Sequence, residues 1–112
     1  MMNRRFVLVI AASLAFAVAA TTASAADLAA GKAKATEVCA SCHGADGNSA
    51  AADFPKLGGQ HADYLAKALR DYKSGQRKNA IMSGFAQALS KQDVENLAGY
   101  YASQPSVVSV RH

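Results

Sequence analysis

The sequence predicts an all-α protein, and three observations support that prediction. Apolar residues recur at helical spacing over residues 62–73 and again over residues 91–103. A third segment, residues 28–39, follows Asp27, a residue type that favours the first position of a helix. No strand-like alternation of apolar and polar residues flanks the cysteine pair in the middle of the chain. We therefore expect three main helices joined by loops.

The first 25 residues predict an export signal rather than part of the fold. Arg4 and Arg5 precede an apolar run over residues 6–20, and a small-x-small cleavage site ends at Ala25. The run is short for a membrane span, which needs about 20 residues, although an uncleaved anchor stays open as an alternative. We expect cleavage after Ala25, a periplasmic location and one mature domain over residues 26–112. After cleavage we expect no membrane attachment beyond peripheral docking.

The expected mature chain is too poor in large apolar side chains to build a core unaided. Residues 26–112 contain six Leu, one Ile, five Val and two Phe, while 18 Ala residues add little buried surface. Domains of this size usually need a disulfide, a metal or a cofactor to stabilise them. The net charge, +4 for the whole chain, falls to +2 without the signal, and no basic run remains. This balance excludes nucleic acid as a partner.

The helix ends carry recognisable signals. The first helix is expected over about Leu28 to Cys39, and residues 44–59 read as a loop. The second is expected over about Ala62 to Lys73, with Gly75 as its C-terminal cap. The third, which ends near Ser103, follows a capping box with Ser90 at its start and Asp93 in place of the usual Glu.

Both cysteines lie in the pattern Cys39-Ala-Ser-Cys42-His43, which is typical of covalent haem attachment. Residues three apart on a helical turn share a face, so both sulfurs can reach the two vinyl groups of one porphyrin. The imidazole of His43 follows directly and can bind the iron. An export signal agrees with this interpretation, because haem is joined to such chains outside the cytoplasm. The motif therefore predicts one covalently bound haem c.

Three weaker interpretations of the cysteine pair stay open. A thioredoxin-like redox pair belongs in a βαβ pattern, which the flanking sequence lacks. A structural zinc site needs four ligands, and only His61, His112 and scattered carboxylates remain to complete one. A disulfide between Cys39 and Cys42 would close a very small loop and add little stability.

Met82 is the candidate for the sixth iron ligand, because it is the only methionine after the signal. It lies 39 residues after His43, far enough to wrap round a haem edge. We expect it in an irregular segment, residues 74–89. A methionine that only fills a core gap is more often on a helix face, so this loop position favours ligation. His61 and His112 are the rival ligands.

The chain resembles the class I cytochromes c, in particular the small bacterial cytochrome c553 and each single domain of cytochrome c4. The resemblance covers about residues 28–104. Gly31 matches the glycine of the first helix that touches the last helix in that family. The other matching segments are CHGADGNSA at 42–50, FPKLGGQ at 54–60, YLAKALRDYKSGQR at 64–77 and LSKQDVENLAGYYASQP at 89–105.

The resemblance implies the cytochrome c fold, with helices and loops wrapped around one covalently attached haem. Cys39 and Cys42 would form the thioether bonds, and His43 and Met82 would bind the iron. Pro55 matches the proline whose carbonyl accepts a hydrogen bond from the iron-binding histidine. One such motif in this chain means one haem.

These features together predict an exported one-electron carrier, not an enzyme. With both axial positions filled, the iron has no place for oxygen or peroxide. The expected partners are a redox donor protein and a redox acceptor protein of unknown identity. Arg77 is a candidate partner for a haem propionate, with a solvated surface position as the alternative. The rival functions are a haem enzyme or gas-binding sensor with an open distal site, and the haem subunit of a larger redox enzyme.

Overall fold

The computed structural model describes residues 15–20 and 25–107. Within these residues the secondary structure is α-helical with no β-strand, which confirms the all-α prediction. None of these helices combines the length and the apolar character needed to cross a bilayer. Most of the predicted export signal, and the whole of residues 108–112, lie outside the described residues, so cleavage after Ala25 stays a prediction.

Five helices follow one another in the described chain, two more than the sequence predicts. The three predicted helices are present, with ends within one residue of those expected. The additional ones are a single turn at the cysteine motif and a two-turn helix between the second and third predicted helices. In chain order they are α1 Leu28–Val38, α2 Ala40–His43, α3 Ala62–Ser74, α4 Ala80–Gln87 and α5 Lys91–Ala102.

The predicted caps are present and explain why these segments begin and end where they do. The Asp27 side chain accepts a hydrogen bond from the Ala30 amide at 3.0 Å, which satisfies an amide with no partner inside α1. Ser90 and Asp93 form the reciprocal capping box of α5, with both hydrogen bonds at 3.0 Å. Gly75 ends α3 with a φ of 86°, a conformation that favours glycine.

Helix α5 forms the centre of the fold, with α1 and α3 packed against it and α4 packed against α3. A Cβ atom built on Gly31 of α1 would lie 2.1 Å from the Asn96 carbonyl oxygen of α5. The two backbones therefore touch, as the resemblance implies. The core is small, as its composition predicts: its buried members are Ala35, Leu65, Ala66, Leu89, Val94, Leu97, Ala98, Tyr100 and Tyr101.

The prediction that residues 74–89 are irregular is wrong for their central part, which forms α4. The Asn79 side chain accepts hydrogen bonds from the amides of Ile81 and Met82, at 3.1 and 3.0 Å, and so starts this helix. Met82 therefore lies on a helix and not in a loop. The argument that its loop position favours ligation is wrong, and its role has to be judged from what surrounds it.

Candidate haem-binding site

A cavity of about 370 Å³ opens between the cysteine motif, the loop that follows it and helices α3, α4 and α5. Cys39, Cys42, His43 and Met82 all line it, although Met82 is distant from the other three in the sequence. Most of the remaining wall is apolar, with Leu65, Leu69, Phe85 and Leu97 among its residues. The fold thus collects the residues predicted as thioether and iron ligands around one largely apolar cavity.

The cysteine motif forms a tight turn that places both thiols on the cavity wall. Cys39 ends α1 and starts α2, and its carbonyl oxygen accepts hydrogen bonds from the amides of Cys42 and His43, at 3.2 and 3.0 Å. Cys39 and Cys42 are half-buried free thiols. Burial raises the pKa of the Cys39 thiol to about 11. A thioredoxin-like pair belongs in a βαβ pattern, and the described residues contain no strand, so the structure gives that alternative no support.

His43 is buried and held in one orientation by the loop. Its Nδ1 lies 2.8 Å from the carbonyl oxygen of Pro55, the hydrogen bond expected from the resemblance. A carbonyl oxygen only accepts, so Nδ1 carries the proton and donates it. In the neutral imidazole, the other ring nitrogen, Nε2, then carries the lone pair, which is the form in which imidazole binds a metal.

The loop over residues 44–59 holds the Pro55 carbonyl in place through its own hydrogen bonds. The buried Ser49 hydroxyl donates to the carbonyl oxygen of Phe54 at 2.5 Å. The Gly47 carbonyl accepts from the amide of Leu57 at 2.7 Å. These bonds lie on either side of Pro55 in the sequence, so the acceptor for His43 sits in a braced segment. Ser49 gave no sequence signal, because a serine in a loop is most often solvated.

The rival ligands do not share this position. His61 is exposed at the start of α3 and is not part of the cavity wall. His112 lies outside the described residues. No group of three or more His, Cys, Asp or Glu within residues 25–107 could hold a metal ion, so the zinc alternative gains no support there. Met82 is half-buried and remains the ligand candidate on the cavity wall.

Polar groups that suit a carboxylate line another part of the cavity. The guanidinium of Arg77 donates to the Tyr64 hydroxyl at 3.3 Å and lies 4.9 Å from the centre of the Tyr72 ring. All three side chains line the cavity. A guanidinium beside a phenol hydroxyl is a favourable partner for carboxylates such as haem propionates.

The residues around the cavity fit a haem in each chemical respect that can be tested. Two thiols three residues apart, an imidazole with a free lone pair, a thioether and a cationic group surround one apolar volume. One buried polar atom is left over: the hydroxyl of Tyr101, which has no hydrogen-bond partner among the described residues. Tyr101 belongs to the apolar positions that recur at helical spacing in α5, and that pattern does not show that its hydroxyl is buried without a partner.

Comparison with known proteins agrees with this site. The sequence profile of the cytochrome c family matches residues 28–104. Cytochrome c4 of Pseudomonas aeruginosa is 51% identical over 87 residues, which cover 78% of this chain and 43% of that protein. Cytochrome c-554(548) of Halomonas halodenitrificans is 45% identical over 81 residues, which cover 70% of this chain and 96% of that protein.

The similarity extends to the backbone. The crystal structure of reduced recombinant cytochrome c4 from Pseudomonas stutzeri matches with a TM-score of 0.67 and 46% identity, covering 72% of this chain and 47% of that one. The chain thus spans about half the length, or less, of the cytochrome c4 relatives it matches. From the matching family profile, the helical fold and the cysteine motif, we conclude that this chain belongs to the cytochrome c family, as a class I c-type cytochrome with one covalently bound haem c.

Proposed function

We propose that this chain is a one-electron carrier, with Cys39 and Cys42 as the thioether residues and His43 and Met82 as the axial ligands of the iron. The observation that carries the proposal is that these four side chains line the same cavity. Each cysteine adds its S–H across one vinyl double bond, so no atom is lost and no oxidant is needed. The haem, when bound, supplies the Fe(II)/Fe(III) couple.

The residues of the chain then have three tasks. Pro55 keeps the Nδ1 proton of His43 in place, so that Nε2 is always available to the metal. Met82 would hold the iron through its thioether and so leave no iron position open to oxygen or peroxide, and a thioether ligand favours a high reduction potential. The apolar wall formed by side chains such as Leu65 and Leu97 excludes water, and Arg77 with Tyr64 offers hydrogen bonds to a propionate.

The sequence supports the proposed location and the proposed kind of partner. The signal-like pattern over residues 1–25 supports export to the periplasm with cleavage after Ala25, leaving one domain over residues 26–112. In that compartment the chain would accept an electron from one redox protein and deliver it to another. We expect no nucleic-acid partner, because the mature sequence has a mild net charge. We expect no insertion of the mature chain into a membrane, because it has no second long apolar run.

Spectroscopy of the purified mature protein tests the proposal. A pyridine hemochrome assay should give one haem c per chain. The ferric protein should be low-spin, with the weak near-infrared band of methionine–iron ligation, and the ferrous protein should not bind carbon monoxide. A high-spin spectrum with carbon monoxide binding would instead indicate an enzyme or sensor with an open site. A stable complex with a catalytic subunit on purification would indicate part of a larger enzyme.

Met82→Ala tests the sixth ligand directly. The variant should keep covalent haem, bind carbon monoxide without denaturation and have a lower reduction potential, because the thioether that favours Fe(II) is gone. Ser83→Ala is the matched control, since Ser83 neighbours Met82 on α4 but is not part of the cavity wall. An unchanged spectrum and potential in Met82→Ala would reject Met82 as the ligand.

A further inference from the structure

The hydroxyl of Tyr101 is a buried donor with no partner among the described residues. The residue is 3% exposed, and its oxygen makes no hydrogen bond to any described residue. Leaving such a group unpaired is costly, and buried hydroxyls in folded proteins nearly always have a partner. The mechanism proposed above does not use Tyr101, although the residue lines the same cavity as the cysteines and the axial ligands.

The Tyr101 ring is closely packed, and its hydroxyl is buried away from solvent. A Cβ atom built on Gly47 would lie 2.7 Å from Cδ1 of Tyr101, which shows how closely the loop covers the ring. The Tyr100 ring packs against it at a centroid distance of 5.2 Å. The Tyr101 carbonyl also accepts a hydrogen bond from the Gly59 amide at 3.0 Å, which anchors the backbone to the loop.

Cys39 packs against the buried core cluster that contains Tyr101. Burial raises the pKa of Tyr101, and the nearby Cys39 raises it further. The hydroxyl in turn acts to lower the pKa of the Cys39 thiol, against the larger effect of burial. The two groups are thus close enough to influence each other, although they do not meet in normal hydrogen-bond geometry. Both line the cavity, on α5 and at the end of α1.

We propose that Tyr101 is a positioning residue that donates its O–H to the sulfur of Cys39 once that sulfur is part of the thioether. This inference rests on the proposed attachment of haem at Cys39. A thioether sulfur has no proton, so it can only accept, and a phenol is the donor it needs. The bond would give the unpaired Tyr101 hydroxyl a partner and fix the orientation of the thioether at Cys39. It would also direct the positive end of the O–H dipole towards the haem, which disfavours the extra positive charge of Fe(III).

Tyr101→Phe tests this role, with Tyr100→Phe as the matched control. The Tyr100 hydroxyl donates to the Ala45 carbonyl oxygen at 2.7 Å. Tyr100→Phe therefore loses an ordinary hydrogen bond to a backbone carbonyl, one residue away from Tyr101. Both variants should keep one covalent haem. Tyr101→Phe should lower the melting temperature by about 4 °C and shift the reduction potential downwards, whereas Tyr100→Phe should lower the melting temperature alone.

Three outcomes of this comparison have distinct meanings. If neither wild type nor variants carry covalent haem, the proposed function fails. If Tyr101→Phe carries haem but melts at the wild-type temperature or above it, the hydroxyl was never paired and this inference is overturned. If it melts lower but the potential does not change, the bond does not act on the haem and the positioning role is overturned.

A double-mutant cycle identifies the acceptor. In a Cys39→Ala background, which leaves attachment through Cys42, Tyr101→Phe should have no further effect on the melting temperature, because the acceptor is already gone. Additive effects would show that the partner is a trapped water or a propionate. Proton NMR of the reduced wild-type protein gives the same answer without substitution. It should show a slowly exchanging Tyr101 hydroxyl proton with cross-peaks to the β protons of Cys39, and cross-peaks elsewhere would overturn the assignment.

Discussion

Replacing Gly31 with alanine tests the contact between α1 and α5, on which the position of the cysteine motif depends. A Cβ at residue 31 would lie 2.1 Å from the Asn96 carbonyl oxygen and 2.8 Å from Cβ of Tyr100. A normal carbon–oxygen contact is about 3.3 Å or more. The helices would therefore have to separate by roughly 1 Å, because a backbone carbonyl cannot rotate aside as a side chain can.

The expected cost is the difference between two opposing effects. Alanine in place of a helical glycine gains about 1 kcal/mol of stability when space is free. Overpacking a core typically costs about 1–3 kcal/mol, and a collision with backbone belongs at the upper end or beyond. The separation would also stretch the hydrogen bond from the Asp27 amide to the Asn96 side chain, which is 2.9 Å long. We expect a net loss of about 2 kcal/mol, or a melting temperature lower by roughly 8–16 °C.

Thermal unfolding of the haem-loaded protein, followed by circular dichroism, measures this effect. Gly84→Ala is the matched control, because Gly84 is also inside a helix but has no neighbouring atom within 4 Å of the added Cβ. That variant should melt at the wild-type temperature or up to about 8 °C higher. The reasoning is refuted if Gly31→Ala is as stable as wild type while Gly84→Ala behaves as expected.

Two further predictions concern helix starts. Asn79→Ala removes the acceptor for the amides of Ile81 and Met82. It should lower the free energy of unfolding by about 1 kcal/mol and weaken the near-infrared methionine–iron band. An unchanged band would mean that the cap does not position Met82. Hydrogen bonds from Ser90 hold the pKa of Asp93 in the folded protein below its ordinary value of 3.8. The ionised carboxylate therefore stabilises the fold fully above pH 3.8, and this stabilisation is lost as the pH falls through the pKa of the folded protein. Melting temperatures of wild type and Asp93→Asn, measured from pH 7 to pH 2.5, should therefore differ at neutral pH and converge in acid, whereas parallel curves would contradict the assignment.

Features that depend on a few neighbouring residues were predictable. The turn at Cys39 to His43 depends on the spacing of three residue types, and the capping box depends on Ser90 and Asp93 alone. Their geometry is decided within one helical turn, so no distant part of the chain is needed to recognise them. The hydrogen bond from His43 to Pro55 was expected only from the family resemblance, since no local rule connects residues twelve positions apart.

Helix α4 shows where local reasoning failed. A segment of eight residues that includes Ser83 and Gly84 is too short and too weak in helix propensity to be stable alone. It is helical because Asn79 caps it and because it packs against α3. Asn79 followed by apolar residues at positions 81, 82, 85 and 86 was a usable signal for this helix.

By itself, the sequence determined the all-α character, the attachment motif, the three long helices and their caps, because each depends on the chemistry of adjacent residues. Only the tertiary structure decided that Met82 lines the same cavity as His43 and that the Tyr101 hydroxyl is buried in the wall of that cavity. The contact of Gly31 with the backbone of α5 was expected only from the family resemblance. These relations join residues about 40 to 70 positions apart. The packing of helices around the cavity sets such distances, and no local spacing rule encodes them.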